Sequence, residues 1–156
     1  MISVPSSIQK FRRLSWPDRA LLVESFAWLA IASFAIAVLP FPSIAAIASR
    51  GAHRVSPVGG AKQNLVSRVR WAVGAASARV PWRAVCFQQG LAAQLMLRRR
   101  GVTSVLYYGA AHTPDSALSA HVWVRAGDLD VVGCELAPQY ALLATFPTER
   151  PNAASA

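Results

Sequence analysis

The hydrophobic positions of this chain change rhythm along its length: an uninterrupted apolar run near the start, helical spacing in the middle, and alternation towards the end. The first 14 residues read as a short, poorly structured lead-in that ends in a basic knot of Lys10, Arg12 and Arg13. Ser15-Trp16-Pro17-Asp18 then has the form of a helix start: a Ser cap, an acid three residues later and a proline tolerated in the first turn. A long helix is expected from there to about Leu39, where Pro40 and Pro42 stop it. A Gly/Pro/Ser-containing connection covers residues 50–60. Leu65, Val66, Val69 and Val73 then recur at helical spacing with Lys62, Arg68 and Arg70 on the other face, which predicts a helix over residues 61–78. A third helix is predicted over residues 86–100, with Phe87, Leu91, Leu95 and Met96 apolar, arginines in the last turn and Gly101 as its stop.

After Gly101 the period falls to two. Residues 102–109, VTSVLYYG, are β-branched and aromatic and predict a strand, followed by a loop with Pro114 and Asp115. Further on, Leu118, Ala120, Val122 and Val124 share one face, and Ser119, His121, Trp123 and Arg125 the other. Gly127-Asp128 supplies a turn, so a hairpin is expected in which Ala126 faces Leu129, Arg125 faces Asp130 and His121 faces Cys134. The tail adds one short strand or turn. Helices first and an antiparallel sheet afterwards make an α+β chain and argue against a parallel dinucleotide-binding sheet, and no glycine-rich phosphate loop is present. Residues 1–60 are expected to form a helical amino-terminal segment and residues 61–156 the core, together one structural domain.

Composition sharpens this picture at three points. Of 156 residues 54% are hydrophobic and 15% charged, so the chain has the means to bury a core and lacks the signature of disorder. The net charge of +9 is unevenly spread: residues 1–100 carry 14 basic and 2 acidic side chains, residues 101–156 only 2 basic and 5 acidic. That asymmetry suits an anionic partner such as a membrane surface or an acidic polypeptide, whereas nucleic-acid binding is not expected, because no aromatic stacking strip or recognition motif accompanies the charge. Third, residues 25–39 hold no charge at all, and three readings stand: a membrane span, which reaches the required length only by crossing two prolines; a signal peptide with Ala-Ile-Ala at residues 46–48 as its cleavage site; or a helix buried in the core or lying at a membrane surface.

Two cysteines, Cys86 and Cys134, are too few for a disulfide framework, although a single bridge between them stays open, and no Cys/His cluster has zinc spacing, so neither metal nor cofactor is expected. Cys86 follows Pro81-Trp82 at the start of a predicted helix, where unpaired N–H groups and the helix dipole stabilise negative charge. His121 lies thirty-five residues later on a strand. A thiolate at a helix start with an imidazole on a neighbouring strand is the working arrangement of cysteine peptidases and transglutaminases. The small residues Gly90 and Ala93 on the turns after Cys86 would let the sheet approach. His112 and His53 fall in predicted loops, and Trp123 on the face of His121 is a candidate wall of the site.

The run PWRAVCFQQGLAAQLMLRRRG, a strand, and then SAHVWVRAGDLDVV together resemble the lasso-peptide leader peptidases, the microcin-maturation B proteins; the resemblance extends upstream to KFRRLSWPDRALLVESFAWL and covers about residues 8–147. It implies a transglutaminase-like, papain-like fold and a cysteine peptidase that cleaves the leader from a ribosomally made precursor, with Cys86 as nucleophile and His121 as general base and then acid; Trp123, on the face of His121, and Trp82, just before Cys86, are candidates to contact the substrate, with core packing the alternative for Trp123. It also implies three partners: the precursor leader, a separate leader-recognition protein and an ATP-dependent lasso cyclase. A cytoplasmic location is expected, with membrane association through residues 20–49 as a further expectation. One departure stands out. Where such enzymes place an Asp about twelve residues after the His, this chain has Gly133; Asp128 and Asp130 fall far from the imidazole in the expected hairpin, which leaves Glu135 as the acidic candidate, or a backbone carbonyl or water in its place. The loss of that Asp also keeps open an inactive scaffold with the same fold.

Overall fold

The computed structural model describes residues 13–50, 58–112 and 117–148. Residues 1–12 of the expected lead-in, most of the 50–60 connection with His53, and the loop of Pro114 and Asp115 lie outside these residues. The first helix, α1, spans Trp16–Val38. Its start is the predicted one: the Ser15 hydroxyl accepts from the Asp18 N–H at 3.3 Å and donates to the Asp18 carboxylate. Arg68 adds two further bonds to that carboxylate, at 3.0 and 2.8 Å, and the Ser15 and Arg68 contacts hold its pKa below the ordinary value.

Pro40 ends α1 as expected, but the chain does not then become a loop. A second helix, α2, covers Phe41–Ser49. The prolines act as starters here: Pro40 is the cap residue and Pro42 sits in the first turn, where its missing N–H costs nothing. Helix α3 covers Gly60–Ser77 and α4 Cys86–Arg99, both within a residue of expectation. Helix α4 stops in a Schellman turn: Val102 N–H donates to Leu97 C=O and Gly101 N–H to Arg98 C=O, with Gly101 at φ 66°.

Four strands follow: β1 Val105–His112, β2 Leu118–Ala126, β3 Leu129–Val132 and β4 Ala141–Phe146. They form one antiparallel sheet in the order β3-β2-β1-β4. Strand β1 runs to His112 because Ala110, Ala111 and His112 continue the ladder against Ala120, Ser119 and Leu118. The chain passes from one edge of the sheet to the other through residues 133–140, which include a short 3₁₀ turn, Ala137–Gln139.

Helices α3 and α4 pack on one face of this sheet. Val66, Val69 and Val73 from α3 and Ala93, Met96 and Leu97 from α4 share a core with Leu106, Val122, Val124 and Val131. Gly90 lets helix and sheet approach closely: a Cβ there would stand 2.8 Å from Val122 Cγ1, so a side chain at this position would force Val122 to shift. Helix α1 belongs to the same body. Leu21 joins the main core, and Leu22 and Leu29 pack with Ala76 and Ala92. By length and composition α1 would suffice to cross a membrane, yet Leu21, Leu22, Ser25, Leu29 and Ala32 are buried inside the protein.

Candidate active site

Cys86 is the first residue of α4. Its cap residue, Val85, contributes no side-chain hydrogen bond and the first turn holds no acid, so the backbone N–H groups of that turn are not occupied by a capping side chain. Those groups are suited to receive a developing oxyanion. The thiol is free and half-buried, and packs against the helix-side core. Beside it Phe87 belongs to an aromatic cluster with Phe41, Tyr108 and Phe146, the three outer rings standing 6.1–6.3 Å from Phe41. This cluster was not read from the sequence, because Phe41 belongs to the unexpected α2.

His121 is buried on β2. The expected hairpin register holds at the turn, with Ala126 opposite Leu129 and Arg125 opposite Asp130, the latter pair joined by an ion pair at 3.0 Å. One residue further on a bulge intervenes, and Val124 pairs with Val132. His121 therefore does not face Cys134. The chain turns at Gly133, φ 73°, and presents its carbonyl to His121 Nε2 at 2.7 Å. A carbonyl only accepts, so Nε2 carries the proton and Nδ1 is left as the basic nitrogen. The residue that stands where an Asp was expected thus holds the ring with its backbone. A Cβ at position 133 would lie 2.6 Å from the Val122 carbonyl oxygen and 3.1 Å from His121 Nε2, which leaves no room for a carboxylate side chain.

Glu135 does not take the orienting role. Its carboxylate is exposed and pairs with Arg70 at 3.0 Å, because β3 ends at Val132 and the Gly133 turn carries the chain off the sheet towards α3. Trp123 lies beside His121, the rings stacked with centroids 6.1 Å apart, and stacks in turn on Tyr107 at 5.6 Å. Gly109 admits that indole, since a Cβ there would come within 2.9 Å of it. Tyr140, from the crossover, covers the imidazole at 5.0 Å, and its hydroxyl is within 3.3 Å of the Ser119 hydroxyl. Trp82 sits in the bend before α4, partly exposed. Cys134 is not bridged; its thiol donates to the Val124 carbonyl at 3.2 Å, and burial pushes its pKa up.

The two expected reacting groups are not joined. Alternation along β2 turns Val122 and Val124 towards α4 and His121, with Trp123, to the opposite face of the sheet. Among the described residues no hydrogen bond connects Cys86 to His121. The small residue at Gly90 does bring helix and sheet close, but through Val122 rather than the imidazole. No group of three or more metal-ligating side chains occurs among the described residues.

A search of curated proteins finds no match, and neither does a search of solved structures. A domain of the transglutaminase-like superfamily matches residues 28–145, a span that runs across the boundary expected near residue 60 and takes in both Cys86 and His121. That superfamily includes cysteine peptidases. With helices first, a small antiparallel sheet after them and this match over most of its length, the chain belongs to the transglutaminase-like superfamily.

Proposed function

We propose that the chain is a cysteine peptidase that removes the leader from a ribosomally synthesised precursor in lasso-peptide biosynthesis, with Cys86 as nucleophile and His121 as base and then acid. The observation that carries this reading is a complementary pair of residues inside the superfamily match. One is a thiol on an uncapped helix start; the other is an imidazole whose Nε2 is held by a carbonyl so that Nδ1 is free to take a proton. In the reaction the imidazole takes the thiol proton and Sγ attacks the scissile carbonyl carbon. The first-turn N–H groups of α4 receive the oxyanion, and the C–N bond breaks as the imidazolium protonates the leaving amine. Water then cleaves the thioester, with the same imidazole accepting its proton.

Proton transfer needs the two groups within about 2.6–3.2 Å, and catalytic contacts often tighten only once substrate is bound. The reading therefore requires β2 and the first turn of α4 to rearrange on binding the precursor. Leader-recognition and cyclase activities would come from separate chains, the first delivering the precursor in the cytoplasm and the second consuming the liberated amine. A second reading, an inactive scaffold of the same fold, is favoured by one observation: His121 faces away from α4. Cleavage of a lasso precursor in the presence of its leader-recognition protein separates them. The peptidase reading expects cleavage that Cys86→Ala and His121→Ala each abolish; an intact precursor with wild-type protein supports the scaffold.

A further inference from the structure

The solvent-facing side of α1 departs from what water demands of a surface helix. Such a helix normally turns a polar face outwards. Here every exposed residue of α1 is apolar: Trp16, Val23, Ile31, Phe34 and Val38 recur at helical intervals with alanines between them, and Phe41 extends the stripe onto α2. Trp16 is 78% exposed and Phe34 70%, so these side chains stand clear of the fold. A helix of this length carries the stripe over on the order of 34 Å. A continuous apolar face of that kind marks an interaction surface.

The surroundings of the stripe identify what covers it. Arg99 lies over the Trp28 ring at 6.0 Å, and Arg100 clasps Glu24. Val80 and Ala84 pack with Leu22 and Leu29 of α1, and the adjoining Arg79 and Arg83 are exposed. Both acids of the first hundred residues are neutralised, Asp18 by Arg68 and Glu24 by Arg100. Asp130 and Glu135, in the strand-rich part of the chain, are paired with Arg125 and Arg70. The stripe itself offers no hydrogen-bonding side chain other than the indole of Trp16, whereas protein interfaces carry about one hydrogen bond per 100–200 Å². An apolar face without polar anchors, with the exposed Arg79, Arg83 and Arg99 in no ion pair among the described residues, fits an anionic lipid surface better than a folded partner.

The opposite face decides how the helix would lie. Leu21, Leu22, Ser25, Leu29 and Ala32 are buried, and the Ser25 hydroxyl donates to Leu21 C=O at 2.9 Å. A transmembrane arrangement would strip this face from α3 and α4. We propose that α1 docks the protein on an anionic bilayer, lying in the plane of the headgroups with its exposed stripe in the lipid and its buried face still in the protein core. The proposal stands apart from the peptidase reading.

Sedimentation of the full chain with vesicles tests it, using phosphatidylcholine alone and phosphatidylcholine with about a third phosphatidylglycerol. Wild-type protein is expected to bind the anionic vesicles, to be released by high salt and by alkaline carbonate, and to bind at least tenfold more weakly as Ile31→Gln/Phe34→Gln. Both side chains are exposed, and an unchanged melting temperature shows that the variant folds. Arg79→Gln/Arg83→Gln, also exposed, gives a second reading and is expected to weaken binding to the anionic vesicles selectively. Failure of the wild type to bind, or binding by both double variants as tight as the wild type's, overturns the proposal. Resistance to carbonate extraction overturns it in favour of a spanning helix. A dimer in light scattering that Ile31→Gln/Phe34→Gln dissociates, without vesicle binding, assigns the stripe to a second copy instead.

Discussion

Replacing Gly133 by alanine tests whether a backbone carbonyl holds His121. Two costs add. An L-residue at φ 73° pays about 1–2 kcal/mol for the left-handed conformation. The new Cβ would meet the Val122 carbonyl oxygen at 2.6 Å and His121 Nε2 at 3.1 Å, so the turn must move and the 2.7 Å bond to the imidazole is lost. Leaving a buried donor unpaired costs about 1–3 kcal/mol. Gly101→Ala is the control, because Gly101 has φ 66° but nothing within 4 Å of the added Cβ, so it pays only the conformational cost. Both variants gain the same stiffening of the unfolded chain, which cancels between them. Urea denaturation should therefore find Gly133→Ala less stable than Gly101→Ala by about 1–3 kcal/mol, with m unchanged. For a chain of this size that separates their melting points by roughly 2–12 °C. Equal losses in the two variants would refute the carbonyl's role and the packing of the turn on the ring.

Gly90→Val should destabilise the fold by about 1–3 kcal/mol by overpacking Val122, and Gly90→Ala by less, since alanine's helix propensity offsets about 1 kcal/mol; Val122→Ala should cost less stability in the Gly90→Ala background than in the wild type in the same denaturation assay. Glu24 is held below its ordinary pKa of 4.5 chiefly by its hydrogen bond to Arg100, so its contribution is complete above that value and is lost as the pH falls through the depressed one. Glu24→Gln should cost about 1–2 kcal/mol at pH 7 and flatten the decline of melting temperature below pH 4.5.

Local chemistry in the sequence carried most of the scaffold. Ser15 with Asp18, Gly101 after the arginines and Gly127-Asp128 each specify a boundary within a few residues, and the structure places all three where their capping or turn chemistry puts them. Helix α2 is not legible in the sequence because Pro40 and Pro42 have the form of helix stops, whereas a proline in a first turn starts a helix equally well. The bulge escaped for a different reason. Val131 and Val132 are the same residue type, so alternation does not reveal which of them is the extra one, and a single-residue slip redirects everything after it. The turn at Gly133, which ends β3 after Val132, then sends Glu135 to Arg70 and brings its own carbonyl to His121. Sequence marks Cys86 and His121 as candidates but not their facing, because that depends on which side of β2 the helices cover.

The most direct test of the proposed chemistry is the rate at which iodoacetamide alkylates Cys86 at pH 7, resolved from Cys134 by peptide mapping, in the wild type and in His121→Ala. Cys134 is a built-in reference, since burial raises its pKa and its thiol is committed to the Val124 carbonyl. The proposal expects Cys86 to react at least tenfold faster than Cys134 and to lose most of that advantage without the imidazole, with the precursor and its leader-recognition protein present to assemble the pair. Identical Cys86 rates in the two proteins under those conditions would contradict a catalytic partnership between Cys86 and His121.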